Sequence, residues 1–248
     1  MVVIDNLSKS FGDHVVLDEV SLKVEEAENL VVFGRSGTGK SVLLKCMIRL
    51  LQPDNGRVYI FGKDVISMKI DALNELRQQI GFLFQGAALY DSMSVRGNLD
   101  FPLVRHFNLT PKEREARIKD VLEKVSLEEA IDKMPADLSG GMKKRIGLAR
   151  SIITEPRLML YDEPTTGLDP ITAKEISKLI LDLQKELKMT SVIVTHDILC
   201  ARIIADRAVV LEDSKIQYTG DITELTTSKD PFLKNFFSDE LIEENGRK

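Results

Sequence analysis

The sequence is short of the features that would assign it most directly. It has no excess of basic residues: 34 Lys and Arg stand against 39 Asp and Glu over 248 residues, a net charge of -5. That removes any general electrostatic reason for binding nucleic acid, and no nucleic-acid partner is expected. It has only two cysteines, Cys46 and Cys200, far apart and each in an apolar stretch. This spacing argues against a disulfide framework and suits buried thiols in a reducing compartment. No run approaches the roughly 18 apolar residues of a membrane helix, so work at a membrane would pass through a partner. The opening residues, MVVIDNLSKSFGDH, show no basic region followed by an apolar run, and no secretory leader is expected there. Internal repeats and low-complexity segments are also missing.

What is present is enough for a real core, with 43% hydrophobic residues in a chain of one large domain or two tightly joined lobes. Strand character falls on Val15 to Val24, on Leu30 to Phe33, and on Arg57 to Phe61 after the turn-forming Pro53-Asp54-Asn55-Gly56. Between Ala72 and Ile153 the pattern is helical. Its clearest start is Thr110-Pro111-Lys112-Glu113, with Thr as N-cap, Pro in the first turn and Glu three residues on. Ile118, Val121, Leu122 and Val125 then share one apolar face, and the mixed charges of Lys112 to Lys124 make a solvated one. Beyond this, Leu158 to Tyr161, Ser191 to Val194 and Ala208 to Leu211 read as strands, with a helix from Ala173 to Leu187. Short apolar strands alternating with helices predict a parallel α/β sheet interrupted by a helical insertion.

The chemistry starts where Leu30 to Phe33 runs into Gly34-Arg35-Ser36-Gly37-Thr38-Gly39-Lys40-Ser41, followed by an apolar helix from Val42. A strand, then G-x-x-x-x-G-K-S, then a helix is the arrangement of a phosphate-binding P-loop. Glycines let backbone N–H groups wrap the phosphates, the helix N-terminus adds positive potential, and Lys40 reaches the terminal phosphates. Ser41 can place its hydroxyl on Mg²⁺. A second apolar strand ends in Asp162-Glu163, where α/β proteins place ligands. Asp162 fits Mg²⁺ support and Glu163 fits a base for attacking water. A third strand leads to Thr195-His196-Asp197, so His196 becomes a candidate donor to the γ-phosphate.

In this order the motifs resemble those of the ATP-binding cassette ATPases, over Val2 to about Leu225. The resemblance implies an α/β P-loop NTPase (RecA-like) core over 1–85 and 155–225. It also implies an N-terminal antiparallel β subdomain, an inserted α-helical subdomain over 86–154, and a short tail over 226–248. ATP and Mg²⁺ would be bound. On the same resemblance, Phe11, where Tyr is more usual, stacks on adenine, Val42 joins the P-loop residues at the nucleotide, and Gln85 couples Mg²⁺ and water to the helical insertion. Asp169, in Gly167-Leu168-Asp169-Pro170, communicates across a dimer, and His196 is the switch histidine. Ser139, Gly140 and Gly141 form the signature that binds ATP held by the opposite subunit, which implies a homodimer.

Gln85 to Val95, Phe101 to His106, the P-loop sequence and Met142 after the signature resemble more narrowly the ATPases of Mla/MCE-type phospholipid transport systems. That branch implies a transmembrane permease, an MCE-domain lipid-binding protein, in some systems a small STAS-domain protein, and a place on the cytoplasmic face of the inner membrane. Asp230 to Phe237 also resembles this branch, but the polar end, Ser238 to Lys248, is shorter than the tails its members can carry. An ATPase for another transported substrate, or one serving soluble partners as in iron-sulfur assembly, shares the nucleotide motifs. Chromosome-type relatives would need long heptad repeats between P-loop and signature, and none is present. Met142 stands where Gln is usual, yet the phosphate contacts at this motif come from Ser139, backbone N–H groups and the helix end. Lys143, Lys144 and Arg145 read as a basic turn, either solvated or favouring an anion.

Overall fold

The computed structural model describes residues 1–246, with side-chain surroundings through Ser238. Along the chain, β1 (Val2–Phe11), β2 (His14–Val24) and β3 (Asn29–Phe33) precede α1 (Lys40–Met47), β4 (Asn55–Ile60), β5 (Lys63–Asp64) and α2 (Ile70–Arg77). Then come β6 (Ile80–Leu83), α3 (Val95–His106), α4 (Pro111–Lys124), α5 (Gly140–Ile152), β7 (Leu158–Asp162) and α6 (Pro170–Leu187). The chain continues with β8 (Thr190–Thr195), α7 (Ile198–Ile204), β9 (Arg207–Glu212), β10 (Lys215–Gly220), α8 (Ile222–Thr226) and α9 (Pro231–Gly246). Two compact units divide it: Met1–Leu73 with the chain from Thr190 onward, and Asn74–Met189.

In the first unit β1 pairs antiparallel with β2 and β4, and β4 with β5. The alternation that marks the second half of β2 buries Val20, Leu22 and Val24 on one side of this sheet. A second set is mixed: β3 runs parallel to β8 and β9, and β10 closes antiparallel on β9. Every residue of β3 and β8 is buried, as expected for parallel strands covered on both faces. The tail forms α9, anchored by a chain of ring contacts from Tyr218 through Phe232, Phe236 and Phe237 to Phe33 of β3. The last two residues of the expected polar end, 247 and 248, lie outside the described residues.

The second unit joins the parallel pair β6 and β7 to α2's end and α3 to α6. The cap predicted at Thr110 is present in both directions: the Thr110 hydroxyl accepts from Glu113 N at 3.3 Å, and the Glu113 carboxylate accepts from Thr110 N at 2.7 Å. Ile118, Val121, Leu122 and Val125 are buried, as their spacing requires. The helical stretch expected over Ala72 to Ile153 is interrupted by β6. That strand is four residues long and contains Gly81, where a Cβ would fall 2.5 Å from Ser151 O. The strand exists because β7 pairs with it, a partner about eighty residues away that local periodicity does not report. β1 and β10 are further strands that the sequence pattern did not mark, and α3 carries Pro102 within it.

Candidate functional site

Strand register puts the candidate residues at strand ends in two sets. In the first unit Phe33 of β3 pairs with Thr195 of β8. Gly34 and His196 therefore follow neighbouring residues and leave the sheet at the same, C-terminal end, where α/β folds place ligands. In the second unit Leu83 of β6 pairs with Tyr161 of β7. Gln85 thus emerges two residues beyond one strand, and Asp162 and Glu163 at the end of its neighbour.

The P-loop between β3 and α1 is shaped by its own backbone. Gly39 has φ 98°, and a Cβ there would meet Val16 Cγ1 at 2.7 Å, so only glycine can occupy the position. It is also the N-cap residue of α1 and has no capping side chain, which leaves the first N–H groups of that helix facing the loop. Thr38 turns back to Arg35, its N and Oγ1 donating to the Arg35 carbonyl at 3.2 and 2.9 Å. Lys40 is buried, 6% exposed, with Nζ donating to Gly34 O at 2.6 Å and Arg35 O at 3.0 Å. The amine that should reach phosphate thus rests on carbonyls of the loop that would receive it. Arg35, Ser36 and Gly37 are exposed, and Ser41 and Val42 are half-buried. Phe11 is exposed, with Lys9 Nζ over its ring at 5.4 Å from the centroid. Half-buried His196 lies between β8 and the Asp197 cap of α7, whose carboxylate accepts from Cys200 N at 2.8 Å.

In the second unit Asp162 and Glu163 are 5% and 8% exposed. Glu163 has φ 50°, in the left-handed region, and its carboxylate accepts from Thr166 Oγ1 at 3.1 Å. A non-glycine residue in that conformation stores strain that the surroundings must hold. Ser139 caps α5, its hydroxyl accepting from Met142 N at 3.3 Å, and Ser139 and Gly140 are exposed at that helix end. Asp169 caps α6 and accepts from the amides of Ile171 and Thr172, both at 3.1 Å. Hydrogen bonds from Thr172 hold its carboxyl below the usual range.

The oxygen donors that the sequence assigns to a metal are the Ser41 hydroxyl, the Asp162 carboxylate and the Gln85 amide. They contain no sulfur or imidazole and suit a hard cation such as Mg²⁺. Among the described residues no cluster of three His, Cys, Asp or Glu side chains could hold a metal alone.

Three residues at this site carry more than their sequence positions suggest. Lys144, read as part of a basic turn, is 5% exposed. Its ammonium donates to the carbonyls of Gln85 and of Glu163, the latter at 3.2 Å. Arg150 donates to Ala88 O at 2.7 Å and Ala87 O at 3.0 Å, and both alanines have positive φ. Fully buried Asn98 accepts from Tyr90 N and donates to the carbonyls of Tyr90, Met93 and Ser94, at 2.8 to 3.1 Å. The partners of Lys144 and Arg150 lie 19 to 63 residues away, so no local motif announces them.

Residues 17–166 match the family model described as ABC transporter. The chain is 39% identical over 245 residues to the "probable ribonucleotide transport ATP-binding protein mkl" of Mycobacterium tuberculosis, covering 97% of this chain and 67% of that one. It is 35% identical over 242 residues to the "methionine import ATP-binding protein MetN" of Clostridium tetani, covering 98% and 76%. Among solved structures it matches the ATP-binding cassette MJ0796, a dimer bound to ADP and Pi, with TM-score 0.82 and 32% identity, over 90% of this chain and 99% of that one. The cbiO1 protein of Clostridium perfringens, part of the cbiONQ complex, matches with TM-score 0.84 and 30% identity. Antiparallel β subdomain, P-loop core and helical subdomain together make the ABC ATPase fold, and ATP with Mg²⁺ is its substrate and cofactor. The chain belongs to the ABC transporter ATP-binding family, as an ATP-hydrolysing transporter subunit.

Proposed function

We propose that this ATPase drives phospholipid transport of the MCE/Mla type, as a homodimer bound to a permease on the cytoplasmic face of the inner membrane. The observation that carries this reading is the segment from Gln85 to Asn108, which resembles that branch in sequence. In the structure it presents Tyr90, Phe101, Val104 and Arg105 outward on a frame held by Asn98 and Arg150. Exposed apolar side chains on a rigid frame suit docking to another protein. An MCE-domain lipid-binding protein and, in some assemblies, a STAS-domain protein complete the proposed complex. The names of the mkl and MetN relatives point to ribonucleotide and methionine instead, and import of a small solute is the second reading.

In the proposed cycle Lys40 and the P-loop amides take the terminal phosphates of ATP, with Arg35 to Val42 around them and Phe11 against the base. Ser41, Asp162 and Gln85 would hold Mg²⁺, which would offset charge on the phosphates. Glu163 orients the attacking water and accepts its proton, and His196 donates to the γ-phosphate. Ser139, Gly140 and Gly141 of one copy complete the site of the other. Asp169 links the two sites. Closure is driven by contacts that exist only while the γ-phosphate is present.

Two experiments test this. Glu163→Gln should keep ATP binding while slowing hydrolysis by about 10²–10⁴, and hydrolysis at the parent rate would assign the base elsewhere. Isolation of the native complex, followed by mass spectrometry, should find a membrane subunit carrying phospholipid. A soluble-only partner would sink the transport reading, and a permease without lipid would move it to the small-solute alternative.

A further inference from the structure

We infer that Lys144 is a positioning residue: its ammonium ties the loop that carries Gln85 to the turn that carries Glu163, and joins both to the signature helix α5. This rests on the proposed assignment of Gln85 and Glu163 to the chemistry of ATP.

A buried ammonium is costly to desolvate, and a well-packed apolar side chain would stabilise the fold at least as well. Burial pulls the Lys144 pKa down, while the charges of Glu163 and Asp162 oppose that pull. Both observed acceptors are backbone carbonyls, not carboxylates. A main-chain acceptor fixes where a loop lies without engaging the carboxylate it carries, and the Glu163 carboxylate accepts from Thr166 Oγ1 instead. The Glu163 carbonyl is oriented by a left-handed backbone, φ 50°, and Lys144 offers that strained turn a donor.

The neighbouring geometry points the same way. Arg150, six residues further along α5, holds the carbonyls of Ala87 and Ala88 in the same loop as Gln85. That loop is thus gripped twice by cations from one helix. The cap of that helix is Ser139, the residue proposed to meet the partner's ATP. Any shift of α5 on engaging a second nucleotide would carry Gln85 and Glu163 with it.

The test uses the full chain and compares Lys144→Met, Lys144→Gln and Lys144→Arg by steady-state hydrolysis, with ATP affinity and thermal melting measured in parallel. Lys144→Met should lower kcat roughly 10- to 100-fold, with KM and ATP affinity within about three-fold. Lys144→Arg, which keeps a charged donor, should recover a large part of the loss. Turnover within two-fold of the parent in Lys144→Met overturns the inference. So does equal loss of kcat and affinity in Lys144→Gln with a lowered melting point, which marks a purely structural residue. Glu163→Gln measured alongside reports on the base separately. A dead Glu163→Gln beside a fully active Lys144→Met removes the brace and leaves the base assignment standing.

Discussion

Lys40 and Lys144 are both buried, and both place their ammonium on two backbone carbonyls, yet the carbonyls come from different distances. Those on Lys40, Gly34 O and Arg35 O, belong to its own loop, five and six residues back. Those on Lys144 belong to two separate loops, 59 and 19 residues away. A lysine resting on carbonyls of its own loop is placed to exchange them for phosphate oxygens, which is what a ligand-binding amine needs. A lysine bridging two distant loops cannot leave without freeing both, which is what a brace needs. The same ammonium group is therefore read as substrate contact in one place and as positioning in the other.

The largest effect that tests this contrast is at Lys40. Lys40→Met should reduce hydrolysis by about 10²–10³, the scale for losing one charged donor to a reacting group, and should weaken ATP binding in equilibrium titration. The melting point should stay near that of the parent, since the Gly34 and Arg35 carbonyls that lose a donor lie next to solvent-exposed Arg35 and Ser36. If Lys40→Met binds ATP as well as the parent, the two lysines do not differ in the way proposed.

Asn98 probes the frame of the second unit. It bonds four backbone groups from a fully buried position; the Tyr90 and Ser94 carbonyls also accept from Met93 N and Asn98 N, so Asn98→Ala removes this partner chiefly from the Tyr90 N–H and the Met93 carbonyl. That should cost about 2–4 kcal/mol and lower the melting temperature by roughly 5–10 °C. Hydrolysis per folded molecule should change less than in Lys40→Met, because the residues assigned to the nucleotide keep their own supports. A melting point unchanged by Asn98→Ala would mean that the Tyr90 loop is held by something else.

The contrast also explains what is legible in the sequence alone. The P-loop, the Thr110 cap and the Asp162-Glu163 strand end were legible because their causes are local: a glycine that must take positive φ, a hydroxyl three residues from its amide, an apolar run stopping at two acids. Lys144, Arg150 and Asn98 were not. In sequence Lys144 sits between Lys143 and Arg145, and only the fold separates the three. Lys143 is half-buried, and Arg145 reaches Glu175 at 2.9 Å. Lys144 alone is buried against two loops. β6 was missed for the same reason, because its existence depends on a pairing strand outside any local window.

The smallest effect is expected at Met142, next to these residues. Its backbone N–H already donates to Ser139 Oγ at 3.3 Å, so the helix start is capped whatever the side chain. The side chain is half-buried, and a thioether tolerates such a place by packing rather than by hydrogen bonding. Gln has nearly the same length and adds an amide that can reach solvent. Met142→Gln should therefore leave ATPase activity within about three-fold and stability within about 1 kcal/mol. Steady-state hydrolysis and a thermal melt would check both. Two residues further along the same helix, Lys144→Met should be far more costly for turnover, although it too exchanges a long polar-ended side chain and a thioether. A loss at Met142 as large as that at Lys144 would show that α5 acts through its general packing at this end, and not through one ammonium that binds two loops.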